Sequence, residues 1–94
     1  MRIAVGIAPK LSSVSAVSNG VTVKWNAVAG AEKYRVFYKA NGENTWHKAG
    51  DTTSTSYTWT GAKKGTKYTF TVRCVTSDGK TYTSASSASK SITR

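Results

Sequence analysis

The chain has 94 residues, with 14 Lys and Arg against 4 Asp and Glu, for a formal net charge of +10, and only one Cys and one His. One domain is the limit at this size. A lone cysteine excludes an internal disulfide and a cysteine-based zinc cage, and no run approaches the ~18 apolar residues of a membrane helix.

Residues 1–8, Met1-Arg2-Ile3-Ala4-Val5-Gly6-Ile7-Ala8, are apolar but too short for a signal-peptide core. They read as a linker or lead-in, with residues 9–94 as the folded unit, so the chain reads as a domain excised from a longer protein. Lys10 to Ala16 is a weak strand candidate. Val21-Thr22-Val23-Lys24-Trp25 alternates strictly, as a half-buried strand does. Tyr34-Arg35-Val36-Phe37-Tyr38-Lys39 sets Tyr34, Val36 and Tyr38 inward and Arg35 and Phe37 outward. Thr45 to Lys48 is a short weak strand carrying Trp46. Tyr57-Thr58-Trp59 is another short strand. Tyr68 to Val75 is the longest, with Tyr68, Phe70, Val72 and Cys74 inward and Thr71, Arg73 and Val75 outward. Ser77 to Ser91, rich in Ser, Thr and Ala, reads as a long loop. It feeds a last edge strand, Ala88 to Thr93, placed to pair with Tyr68 to Val75.

Asn19-Gly20, Asn41-Gly42 and Asp78-Gly79 are dipeptides that accept positive φ in tight hairpins. Gly30, Gly50, Gly61 and Gly65 mark further corners. No apolar stripe has helical spacing, and no strand–helix–strand rhythm appears. About seven short strands at intervals of about 8–12 residues predict an all-β antiparallel sandwich. Its core would hold Leu11, Val14, Val21, Val23, Trp25, Tyr34, Val36, Tyr38, Tyr57, Trp59, Tyr68, Phe70, Val72, Cys74 and Ile92.

Little here can build an active site. His47 sits beside Trp46 with Asp51 as its nearest acid in sequence, and reads as a surface residue rather than a triad member. Glu32, Glu43, Asp51 and Asp78 are scattered singly, mostly at turns, with no paired carboxylates and no phosphate loop. Cys74 shares the inward parity of its strand and reads as a small core hydrophobe. The chain thus reads as no enzyme, with no catalytic, metal or cofactor residues.

The basic excess favours polyanions in general. Yet the lysines are spread over most strands and turns, and Lys63-Lys64 with Lys67 is the one dense cluster. No nucleic-acid reading motif is present, so the charge argues for solubility and edge protection. The sharper candidate is an outward basic and aromatic face of Arg35, Phe37, Trp46, Arg73 and Tyr82. Exposed aromatics beside cations can stack sugar rings or anchor a protein. The plain alternative is a cross-strand pair in which Phe37 and Trp46 cover each other. The loops Asn26 to Gly30, Gly42 to Thr45 and Ser77 to Ser84 are expected at one end.

The ordered segments from Pro9 to about Thr93 resemble a fibronectin type III domain. Pro9-Lys10-Leu11-Ser12-Ser13-Val14 is similar to the family's first strand, and Val21 to Trp25 to its second, with Trp25 at the core tryptophan position. Gly30 to Tyr38 resembles the third. Thr55-Ser56-Tyr57-Thr58-Trp59-Thr60 and Gly65 to Arg73 resemble its most recognisable segment, with Tyr68 at the tyrosine corner. Ala62 stands where the family usually has Leu and Lys64 where it often has Pro, so Trp59 or Trp46 is expected to fill the space under that corner. The resemblance implies a seven-stranded, Greek-key, immunoglobulin-like sandwich. It implies a monomeric, extracellular spacer or interaction module of a larger secreted or cell-surface protein. Neighbouring domains would then be its partners, with polysaccharide, wall polymer or a protein as possible ligands, and without membrane insertion. The residue style of Asn26 to Ala31, with many Thr and Lys, is similar to copies in Gram-positive surface proteins. An engineered binding scaffold is a further alternative. The integrin-type tripeptide of some animal members is absent, since Asp78-Gly79 has no Arg before it.

Overall fold

The computed structural model describes residues 8–84 and 86–94. The expected lead-in lies outside the described residues except for Ala8. Seven strands form: β1 (Leu11–Val17), β2 (Gly20–Trp25), β3 (Lys33–Ala40), β4 (His47–Thr52), β5 (Ser56–Trp59), β6 (Lys67–Val75) and β7 (Lys90–Thr93). They make one sheet ordered β1-β2-β5 and a second ordered β4-β3-β6-β7, all pairs antiparallel. This is the predicted all-β sandwich.

Strict alternation builds the facing surfaces. Val21, Val23, Val36, Phe70 and Val72 are fully buried between the sheets, with Leu11, Trp25, Tyr34, Tyr68 and Cys74 beside them. Val14, Tyr38, Tyr57, Trp59 and Ile92 pack half-buried against that core. Aromatic rings fill its broad end. Trp59 stacks on Tyr38 at 3.8 Å between centroids and meets Tyr68 edge-on at 5.0 Å. Each such pair contributes about 0.5–1.5 kcal/mol beyond its buried area. Ala62 is buried there, and Trp59, not Trp46, supplies the ring under the corner.

Three tyrosine hydroxyls tie loops or sheets together. Tyr68 Oη accepts the Lys63 N–H at 2.9 Å at one pole, and Tyr34 Oη accepts the Val28 N–H at 2.9 Å at the other. Tyr57 Oη donates to the Ala49 carbonyl across the open side of the sandwich. Ala49 is the extra residue of a bulge, because Val36 pairs with Gly50 while Phe37 pairs with Lys48. A side chain at Gly50 would collide with the Tyr57 phenol.

Several expectations need correction. The fourth strand runs over His47–Thr52 rather than Thr45 to Lys48. Gly50 and Asp51 therefore lie within a strand instead of at corners. The aromatic pair Trp46 and His47 resembles a strand centre, but the ladder to β3 starts only at His47. Gly20 is not a positive-φ turn residue but the first of β2. It is glycine because a Cβ there would run into the Trp59 carbonyl. Val75 and Thr71 point away from the inner core yet are buried, at 1% and 3% exposure, because Tyr82, Thr83 and Ser87 are bonded along β6. Finally, the loops at Asn26 to Gly30 and Ser77 to Ser84 share a pole, but Gly42 to Thr45 lies at the opposite one. β3 carries the chain from one pole to the other, as its register with β6 requires.

The close approach at Gly20 yields a test. Ala there would normally stabilise a chain by about 0.4–1 kcal/mol through the unfolded state. Here Gly20→Ala is expected to destabilise by about 2 kcal/mol or more in urea unfolding, because the obstacle is backbone. An unchanged midpoint would contradict the packing of β5 against β2.

Candidate functional site

The outer face of the four-stranded sheet is built from β3, β6 and the segment that crosses them. Strand parity puts Arg35 and Phe37 of β3 on it, with Thr71 and Arg73 of β6 in register opposite Phe37 and Arg35. Tyr82 bridges to Val75 and lays its ring over the sheet. Trp46 reaches the same face from the turn before β4, not from a strand. Phe37, Trp46, Thr71, Arg73, Tyr82 and Ser86 line a cleft of about 160 Å³. The ring beside Phe37 is Tyr82, with centroids 6.2 Å apart, rather than the expected Trp46.

Of the candidate residues, Phe37, Trp46, Arg73 and Tyr82 therefore meet in one cleft, while Arg35 is committed elsewhere. Arg35 Nε donates to Asp51 Oδ1 at 2.7 Å and its Nη2 to Asp51 Oδ2 at 3.0 Å. Nη2 also reaches the Gly79 carbonyl at 3.1 Å, and Nη1 reaches Tyr82 Oη at 3.4 Å. This two-pronged pair is the strong form of a charge-assisted bond. It welds the edge strand β4 to β3 and holds the loop around Gly79 down on both. The Arg35 fork holds the Asp51 carboxyl at about 2, against a burial effect that acts the other way, with Lys48 adding a smaller pull in the same direction as Arg35. Asp51 in turn raises the Arg35 pKa further above its already high ordinary value.

Arg73 sits differently. Its Nε donates to the Ser84 carbonyl at 3.1 Å, and its guanidinium lies 3.8 Å from the Tyr82 ring centroid. Lys39 Nζ stands 4.7 Å above the Trp46 ring. Trp46 and Tyr82 are each 37% exposed, among the most exposed large apolar side chains described. The face is thus aromatic below and cationic around its rim.

The remaining chemistry-bearing residues carry structural tasks. His47 pairs with Glu43 at 3.0 Å rather than with Asp51, since one turn joins the first two and β4 directs Asp51 to Arg35. A backbone bond from the Ala40 N–H, with the His47 bond second, lowers the Glu43 pKa. Glu32 accepts the Ser77 N–H, and Asp78 accepts bonds from Thr76 and Lys80 within its own turn, which lowers its pKa. Cys74 is buried. Trp25 meets Tyr34 edge-on at 5.4 Å in the inner core. Sequence reasoning missed Asp51 as a structural partner, Lys39 beside Trp46, and the buried serines Ser84 and Ser87. Only the partner of Lys39 had a signal, since residues flanking a hairpin turn sit close together.

The comparisons agree with this architecture. The model of the fibronectin type III domain family matches residues 8–90. The chain is 42% identical over 71 residues to a poly(3-hydroxybutyrate) depolymerase of Ralstonia pickettii, a match covering 74% of this chain and 13% of the depolymerase. It is 36% identical over 73 residues to a tail tube protein of Bacillus phage SPP1, covering 78% of this chain and 26% of that protein. A beta-1,2-glucanase from Parabacteroides distasonis superposes with a TM-score of 0.81 over 98% of this chain and 13% of its own, at 21% identity, a likeness in fold. The chain spans 13% and 15% of the length of the two depolymerases it matches.

The Arg35–Asp51 pair has a pH signature. A carboxyl lowered from 3.8 to about 2 adds stability that is complete above pH ~4 and is lost as pH falls towards 2. The size is at most about 2 kcal/mol. Urea unfolding from pH 5 down to pH 2 should therefore fall more steeply for the parent chain than for Asp51→Asn. Parallel curves would show that the pair adds nothing to the fold.

Proposed function

The chain belongs to the fibronectin type III domain family, and from that premise we propose that it is a non-catalytic spacer or interaction module of a larger extracellular protein. The observation that carries this reading is the placement of the first and last strands. Leu11 pairs with Trp25 at one pole, and Thr93 pairs with Lys67 at the other. The Lys10 carbonyl accepts the Asn26 N–H at the first pole, while Arg94 exchanges backbone bonds with Gly65 and Thr66 at the second. The chain enters at one end of a body measuring 45 × 25 × 20 Å and leaves at the other. That geometry suits a link in series, holding its neighbours apart along the long axis.

Two further observations support it. The acids, the histidine and the cysteine are each engaged in holding loops or core, which leaves none poised as nucleophile or base. The matching region is a small part of the curated relatives, and two of them are named as poly(3-hydroxybutyrate) depolymerases. A module that keeps a working domain at a distance from a bulky substrate fits that company. Residence in a secreted or cell-surface protein belongs to the same proposal, as does the Gram-positive style of Asn26 to Ala31. The domain acts as a monomer whose partners are its neighbours in the chain.

A tandem of three copies tests the reading by small-angle X-ray scattering. Each copy should lengthen the particle by about the 45 Å long axis. A tandem that folds back into a compact particle would contradict the serial role.

A further inference from the structure

The outer-face cleft has features that a spacer does not require. Its floor is Phe37, and its two walls are the exposed rings of Trp46 and Tyr82. Its rim is positive. Lys39 stands over Trp46, and Arg73 lies on Tyr82. Lys48 pairs with Phe37 across the ladder and is 53% exposed. Asp51 is held by the Arg35 fork and also pairs with Lys48 at 3.4 Å, which leaves Lys39 and Arg73 as the unneutralised cations of the rim among the described residues. Arg73 spends its Nε on the Ser84 carbonyl, and its two terminal nitrogens make no hydrogen bond among the described residues. That leaves the outer edge of a rigid planar fork, already oriented by stacking on a ring. Such an edge matches a carboxylate in two-point geometry.

We propose that this cleft is a subsite for one carboxylate-bearing sugar ring of an acidic polysaccharide. Size decides between a polymer and a free small molecule. At about 160 Å³ the cleft is below the ~300–1,000 Å³ of sites that enclose a whole ligand. It holds one ring of a chain whose remainder runs over the sheet. Chemistry decides the kind of ring. The C–H face of a pyranose covers Trp46 and Tyr82, while its carboxylate meets Arg73 with Lys39 close by. An Asp or Glu side chain of a protein partner brings the charge without the flat apolar face. A neutral sugar brings the face and leaves the cationic rim unmatched. Ser86 lines one side and offers a polar contact for ring hydroxyls.

The inference goes beyond the spacer reading and does not depend on it, since the tandem measurement reads length and the following one reads binding. The probe is a hexasaccharide of alternating glucuronate and N-acetylglucosamine, titrated into the labelled protein at about 0.15 M salt, where diffuse charge is largely screened. The expected result is saturable movement of the Trp46 indole and Arg73 side-chain signals, with affinity at least about tenfold above that for cellohexaose. Trp46→Ala removes only an exposed ring and should weaken binding about tenfold. Arg73→Lys keeps the charge but loses the fork, and should weaken it by a similar factor. Lys24→Ala, on the far sheet, should leave it unchanged. Equal binding of cellohexaose would overturn the acidic assignment. Equal binding of polyphosphate, with Arg73→Lys unaffected, would reduce the face to a charge sink and overturn it too. Absence of saturable movement at Trp46 and Arg73 would do the same.

Discussion

β6 is the strand on which the rest of the sandwich depends, and its far edge poses the central constraint. It is buried on both faces: Phe70, Val72 and Cys74 face the inner core, while Thr71 and Val75 are covered from outside. A strand so placed has no water to satisfy its backbone, so both edges need partners. β3 supplies one edge along its whole length. β7 supplies the other only as far as Phe70. Beyond that point the Val72 and Cys74 N–H groups would be orphaned, and two serine hydroxyls accept them, Ser87 Oγ and Ser84 Oγ, each at 2.9 Å. The Ser87 and Thr83 N–H groups return bonds to the Val72 and Cys74 carbonyls. Thr71 Oγ1 donates to the Ser87 carbonyl. It has one proton, so the Ser87 hydroxyl must donate its own to Thr71. The result is a ladder in which side chains stand in for a strand.

That substitution shapes the surface. Because the segment is held by serines rather than by regular pairing, it lies over the sheet and carries Tyr82 onto Arg73 and Phe37. Gly79, farther up the loop, accepts from Arg35, which is itself fixed by Asp51. The outer face is therefore a layer with its own bonds, not a bare sheet. The same layer seats Tyr82 beside Phe37 and Arg73 in the cleft, and among the described residues the outer edge of the Arg73 guanidinium makes no hydrogen bond.

The sequence made the inner half of this legible. Strict alternation in β2, β3 and β6 places Val23, Val36 and Phe70 inward with no further information, because period-two burial is a property of the chain itself. The antiparallel sandwich follows from such segments and the glycine-marked turns between them, whereas the Greek-key order was implied only by the family resemblance. What did not follow depends on partners distant in the chain. β4 lacks alternation because its identity comes from Asp51 meeting Arg35 and from a bulge at Ala49, so it reads as a shorter strand around Trp46. Val75 looks exposed by parity until the covering segment is placed. The serine-rich stretch looks like a loop because its hydrogen bonds are made by side chains, which no propensity records. The candidate face was half legible. Phe37 and Arg73 come from parity, whereas the loss of Arg35 to Asp51 and the arrival of Lys39 over Trp46 are tertiary facts.

The central claim is that Ser84 and Ser87 complete the edge of β6. Amide hydrogen exchange reads it at single residues. In the parent chain the Val72 and Cys74 amides should exchange as slowly as Phe70, deep in the core, and open only with global unfolding. Ser87→Ala leaves the Val72 N–H buried without an acceptor, at a cost of about 1–3 kcal/mol. It should speed exchange at Val72 more than at Val36 on the opposite strand. Rapid exchange at Val72 and Cys74 in the parent chain, or an unchanged Val72 rate in Ser87→Ala, would contradict the account.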